Sequence, residues 1–198
     1  MGFLSVLSCA HKWVEERAGA GDVAVDATVG NGNDTLFLLK TVGPAGTVYG
    51  FDIQAEALER TRRKIADRLP EAVSRLHLHQ SSHADMLRVI PAQHIGRVAA
   101  VMFNLGYLPH GDRTVITRPE TTLPALEASL ALLRPGGILT IVVYPGHPGG
   151  KTEADAVERW AASLGKREFQ SLCYRFLHSG NDAPYLIAVE AKKRSDRK

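Results

Sequence analysis

Cysteine is scarce in this sequence: the 198 residues contain two, Cys9 and Cys173. Two thiols cannot build a disulfide framework or a four-thiolate zinc centre, and a reducing compartment, the cytoplasm, is the simplest home for such a chain. Long hydrophobic runs are missing too, since no stretch approaches the roughly 20 uninterrupted apolar residues of a membrane span. The apolar run from Phe3 to Ala10 has no basic leader and is cut by His11 and Lys12. It reads as a short amphipathic helix ending near Arg17, not as a signal peptide. Charge of one sign is also lacking: the net charge is +3, with 44% hydrophobic and 23% charged residues. That balance excludes a disordered chain. Internal repeats, low-complexity linkers and a composition break are absent, so residues 1–198 read as one domain, with the first helix inside 1–20 and a basic tail at 192–198. The tail (Lys192, Lys193, Arg194, Arg197, Lys198) reads as a solvated end, with contact to nucleic-acid phosphates as the sharper alternative.

What is present is an alternation of β-branched runs with amphipathic segments, the signature of an α/β fold on a parallel sheet. Strands are predicted at 22–27, 47–51, 75–79, 98–103, 138–144, 169–177 and 185–190. Helices fall between them: from Asn33 or Asp34, either of which can cap, through Leu39; over 55–69, stopped by Pro70; over 123–133, ended by Arg134-Pro-Gly-Gly137; and over about 153–164. The last two strands are separated by little more than Asn181-Asp-Ala-Pro184 and should pair as an antiparallel hairpin. The expectation is a Rossmann-like sheet of seven strands, mostly parallel with an antiparallel last strand, and helices on both faces.

Ligands of open α/β sheets bind beyond the carboxyl ends of the strands. The first strand runs into Asp26-Ala-Thr-Val-Gly30-Asn31-Gly32-Asn33-Asp34, where two glycines permit a tight turn and close approach of a ligand. Asp52 ends the second strand 20 residues beyond Gly32, where a carboxylate can accept from ribose hydroxyls, and Gln54 follows within reach of sugar and base. A dinucleotide site wants a third glycine where Thr35 stands, and Asp34 would repel a pyrophosphate. S-adenosylmethionine (SAM) carries no phosphate, and its ammonium and sulfonium suit the same acids. Ordinary turn and cap chemistry accounts for Asp26 and Asp34, but less well for Asp52 and the glycine pair. Ser82 and His83 follow the third strand, at the place of the SAM adenine.

The fourth strand ends in Asn104-Leu-Gly-Tyr107-Leu-Pro109, where many amino-methyltransferases carry an Asx-Pro-Pro-aromatic motif. An amide oxygen or backbone carbonyl there holds substrate N–H groups, and a tyrosine stacks on a flat base or seats the amine. After the fifth strand, Tyr144-Pro-Gly-His147-Pro-Gly-Gly150-Lys151-Thr152 has the context of a phosphate-binding loop. Pro145 and Pro148 remove amides such a loop needs, so Tyr144 and His147 read instead as substrate-side residues. His77 and His79 share one face of the third strand with His83 beyond, but no carboxylate or cysteine joins them at a ligand spacing. No metal is expected, and packing is the better role for both cysteines.

The segments DATVGNGNDTLFL, FDIQ, MFNLGYLPHGD and VVYPGHPGGK resemble the YtqB/MnmM family, first described as rRNA methylases, and the resemblance runs from roughly Leu4 to Ala191. It implies a class I SAM-dependent methyltransferase fold. It also implies N-methylation of 5-aminomethyl-2-thiouridine at the tRNA wobble position, with S-adenosylhomocysteine (SAH) as coproduct. Carried over by motif, Asn31, Asn33, Asp52, Gln54, Ser82 and His83 line the SAM site, while Asn104, Tyr107, Tyr144 and His147 lie near substrate. His110 stands where the family pattern has glycine, beside the proposed substrate loop. The implied partner is a tRNA anticodon stem-loop, met by Lys151, Arg113, Arg118 and the tail; an exposed apolar face on the first helix would support a homodimer. Two rival readings are a methyltransferase of rRNA or a small molecule, and a non-catalytic SAM-binding protein.

Overall fold

The computed structural model describes residues 2–106 and 116–193. Seven segments become strands: β1 (Val23–Asp26), β2 (Thr47–Asp52), β3 (Leu76–Gln80), β4 (Val98–Asn104), β5 (Leu133–Val143), β6 (Phe169–Tyr174) and β7 (Tyr185–Ala191). They form one sheet in the order β3-β2-β1-β4-β5-β7-β6. β1 to β5 pair in parallel, and β7 lies antiparallel between β5 and β6.

Successive strand residues point to opposite faces, so a strand buried on both sides must be apolar throughout. β4 is such a strand, with Val98 to Phe103 all buried. On one face Ala24, Val48, Ala100 and Leu186 pack against Val14, Leu38, Leu39 and Ile65 of helices α1 (Val6–Glu15), α2 (Asn33–Val42) and α3 (Ala55–Arg68). On the other, Val25, Phe51, Phe103 and Ile187 meet Met86, Leu126 and Val157 of α4 (Met86–Val89), α5 (Pro119–Leu132) and α6 (Gly150–Ser163). Each large side chain removed from water this way stabilises the fold by about 1.5–3 kcal/mol.

Four expectations are corrected. The cap position of α2 is Gly32, in a left-handed conformation at φ 70°, and Asn33 and Asp34 lie in the first helical turn. The stretch Arg134-Pro-Gly-Gly137 belongs to β5, as an irregularity where the register against β4 shifts between Leu133 and Ile138. Short helices fill 83–94, where none was predicted. Cys9 is buried, but Cys173 is exposed on β6 and has no packing role. His77 and His79 do share a face, where they stack on Tyr49 at 5.1 and 6.2 Å as a cross-strand aromatic ladder. Among the described residues there is no cluster of three metal-capable side chains, and no helix is long and apolar enough to cross a membrane. Phe3, Leu4 and Leu7 are exposed.

Candidate active site

Strand order reverses between β1 and β4, and the carboxyl ends of β1 to β5 open on one cavity of about 740 Å³. Cavities of this size take cofactor-sized ligands. Its floor is the glycine turn after β1. Gly30 (φ 51°) offers its N–H to Asp52 Oδ2 at 2.9 Å, and Asp52 Oδ1 accepts the N–H of Gln54, also at 2.9 Å. Each oxygen keeps a further lone pair, so the carboxylate is fixed and still able to accept. Burial pushes its carboxyl up, with three backbone N–H groups opposing that shift. At Gly32 a Cβ would stand 2.5 Å from Thr61 Oγ1 of α3, so the turn seats on that helix only without a side chain.

Asp26 ends β1 fully buried, set back from the cavity wall. It accepts from Thr35 Oγ1 at 2.6 Å and from the Thr28 N–H at 3.2 Å. Burial first, then the like charge of Asp34, push its carboxyl from 3.8 to about 7. Asp34 does face the cavity. Its Oδ1 lies 2.7 Å from His11 Nε2 and its Oδ2 accepts from Asn104 Nδ2 at 2.6 Å. A carboxylate can only accept, so the Asn104 amide is oriented nitrogen-first toward Asp34, and its carbonyl oxygen remains as an acceptor. The Asn104 backbone N–H is held by Thr28 Oγ1 at 2.7 Å.

Asn31, Asn33, Gln54, Ser82, His83, Tyr144 and His147 also line the cavity. The Asn33 side-chain oxygen is taken by Lys64 Nζ at 2.7 Å, and that of Asn31 receives Arg60 at 3.4 Å. Ser82 Oγ caps the short helix after β3 through the Ala84 N–H. His83 is almost wholly buried, and its Nδ1 donates to the Ala27 carbonyl at 3.3 Å. That leaves Nε2 as an acceptor, buried with no hydrogen-bond partner among the described residues. Desolvation lowers the His83 pKa and keeps the ring neutral. Burial, then Asp34, raise that of Tyr144. His147 Nδ1 donates to the Pro148 carbonyl at 3.0 Å. Tyr107, His110 and Arg113 lie outside the described residues. Lys151 is exposed and bonded to Asp155, while Arg118 lines the cavity.

Several wall and support residues escape the sequence reading. Thr28, Ser81, Thr117, Thr121 and Asp182 line the cavity, and His11 reaches it through Asp34. Glu153, 1% exposed at the start of α6, accepts from Thr117 Oγ1 at 2.7 Å and Thr122 Oγ1 at 2.6 Å. Thr117 in turn exchanges hydrogen bonds of 2.8 Å with Gly106. Gly106 and Thr117 are thereby tied to each other and to α6.

The donor set fits SAM: a fixed ribose-type carboxylate, a second carboxylate facing the cavity, and an orphaned buried acceptor at His83 suited to an adenine amino group. The sheet order and this glycine turn are those of the class I SAM-dependent methyltransferases, the fold shared with the solved structures below. Within that class the chain belongs to the family described as "Putative rRNA methylase", whose sequence model matches residues 48–190. A "tRNA (mnm(5)s(2)U34)-methyltransferase, chloroplastic" of Arabidopsis thaliana is 40% identical over 176 residues, covering 84% of this chain. The match spans 62% of the length of that relative. The crystal structure of a putative rRNA methylase from Clostridium thermocellum superposes with a TM-score of 0.90 at 39% identity, covering 96% of this chain and 100% of that one. A putative methyltransferase from Streptococcus mutans in complex with SAH gives 0.84 at 33%, covering 96% and 99%.

Proposed function

We propose that this chain is a SAM-dependent RNA N-methyltransferase that converts 5-aminomethyl-2-thiouridine at the tRNA wobble position to its 5-methylaminomethyl form. The observation that carries the reading is the Asp34–Asn104 pair, which turns an amide oxygen into a fixed acceptor at the carboxyl end of β4. An acceptor in that place holds an amine by its N–H and leaves the nitrogen lone pair free to be aimed. The identity to the Arabidopsis wobble-uridine methyltransferase supports the substrate.

Asp52 would hold the ribose, His83 Nε2 and Gln54 the adenine, and the Gly30–Asp34 turn the amino-acid end of SAM. When bound, SAM supplies an electrophilic methyl group on a sulfonium. Asn104 Oδ1 receives the substrate amine in its neutral form, and Tyr144, kept protonated, offers its ring and hydroxyl to the nucleoside. His147, which lines the cavity on the substrate side, would relay the amine proton, directly or through water. Tyr107 belongs with this group by its motif. Arg118 at the cavity rim and the basic tail meet the anticodon stem-loop phosphates. The two free cysteines suit work in the cytoplasm.

The test is methyl transfer from labelled SAM to tRNA lacking the final methyl, read by nucleoside mass spectrometry. Label gained on 5-aminomethyl-2-thiouridine alone is the expected result. Label on rRNA, or tight SAM binding with no labelled RNA, overturns the substrate and favours one of the rival readings.

A further inference from the structure

Helix α1 supplies one polar side chain to the active-site network from outside the nucleotide-binding motifs. The His11 ring lies flat on Phe37, with centroids 3.8 Å apart and planes 3° from parallel. Phe37 and Asp34 are three residues apart on α2, so they share a face, and the ring that stacks on one presents its edge to the other. That edge carries Nε2, 2.7 Å from Asp34 Oδ1. The contact is mostly shielded, with the Asp34 side chain 11% and that of His11 31% exposed. The other Asp34 oxygen holds Asn104 Nδ2, so one carboxylate links α1 to the carboxyl end of β4 across 93 residues of sequence.

Taking the cavity as the methyl-transfer site proposed above, we infer that His11 is a positioning residue for the reaction. Its Nε2–H fixes the Asp34 carboxylate, and through it the orientation of the Asn104 amide. The need follows from the surroundings. Asp26 lies behind Asp34 as a like charge, and Tyr144 also feels the Asp34 charge. Without the His11 donor, the Asp34 carboxylate would be free to rotate about χ2, and the Asn104 amide would lose the fixed partner that keeps its carbonyl oxygen toward the cavity. The flat stack on Phe37 removes the ring's freedom to leave its place.

Two substitutions separate positioning from packing. His11→Phe keeps a ring on Phe37 and removes the donor; His11→Gln gives up the ring but carries an amide N–H at about the reach of Nε2. The full chain is assayed with labelled SAM and tRNA lacking the final methyl, alongside SAM binding by calorimetry and thermal melting. For His11→Phe we expect kcat to fall about tenfold or more, with SAM affinity within about twofold of the parent. His11→Gln should recover most of that loss, whatever its effect on Tm. Equal losses of kcat in the two variants, wild-type turnover in His11→Phe, or a loss of SAM affinity in step with kcat would overturn the assignment. The side-chain amide resonances of Asn104, identified by their disappearance in Asn104→Ala, give a readout that needs no substrate. They should move in His11→Phe and hold in His11→Gln. If the parent protein labels no tRNA, the substrate reading fails while these resonances still decide the role of His11; unmoved resonances in His11→Phe refute it.

Discussion

Asp26→Asn makes a direct test of how the two acids beneath the cavity share charge. The Asp26 carboxyl is fully buried, and its pKa is pushed from 3.8 to about 7 by burial and by Asp34. The unfolded chain gives up this proton near 3.8, while the folded chain keeps it to about 7. Between those values the folded state binds more protons, so stability falls as pH rises, by about 1.4 kcal/mol per pH unit, and levels off above 7. Of an experiment run from about pH 5 to about pH 8, roughly two pH units lie inside that window, which corresponds to about 3 kcal/mol. The Thr35 hydroxyl and the Thr28 N–H favour the ionised form and already hold the value down to about 7. Asparagine has the same shape and never ionises. Melting curves of both proteins across the range should therefore diverge. The variant gains on the parent by roughly 6–12 °C between the acid and alkaline ends, at the 2–4 °C per kcal/mol usual for this chain length. Asp34→Asn, which removes the like charge, should move the parent's window toward lower pH. A difference between Asp26→Asn and the parent that stays constant with pH would refute the reasoning.

Other expectations concern single contacts. Asn104→Ala should lower kcat on the order of a hundredfold with SAM affinity within about threefold, and equal losses in both would sink its role as the amine acceptor. Gly32→Ala meets Thr61 and requires φ near 70° of a residue with a Cβ, so chemical denaturation should show a loss of about 2–4 kcal/mol, with weakened SAM binding. Thr117→Val leaves the Gly106 N–H and one Glu153 oxygen without a partner. It should cost about 2–3 kcal/mol in urea unfolding and raise KM for RNA more than for SAM.

The elements that sequence reading found are those written in local pattern. β4 is apolar on both faces and could only be a central strand, and Asp52 stands at the strand end where its spacing from the glycines put it. Gly32 was visible as a turn residue, but not as the helix cap, because the neighbouring Asn33 and Asp34 are stronger cap formers by composition. Their side chains are engaged by Lys64, His11 and Asn104 instead. Asp26 was readable as an acid near the ligand, though not as one set back from the cavity wall, since one strand residue's burial depends on what covers it. His11 left no sequence signal at all. Nothing in its own helix says that α1 crosses the first turn of α2, so a contact between residues 11 and 34 becomes visible only in three dimensions. Glu153 is similar: its partners come from the segment before α5 and from α5 itself.

The place of β7 in the sheet sets an order of events for a chain that leaves the ribosome amino end first. β5 precedes β6 and β7 in sequence, yet its free edge is covered by β7, and β6 touches the rest of the sheet only through β7. Until Tyr185–Ala191 has been made, the apolar run Ile138–Val143 presents an open strand edge, and the hairpin partner Phe169–Tyr174 has nothing to pair with. Open apolar edges recruit other chains. The nascent protein is therefore most exposed to aggregation and to chaperone capture after its first five strands have been synthesised and before its last strand has arrived.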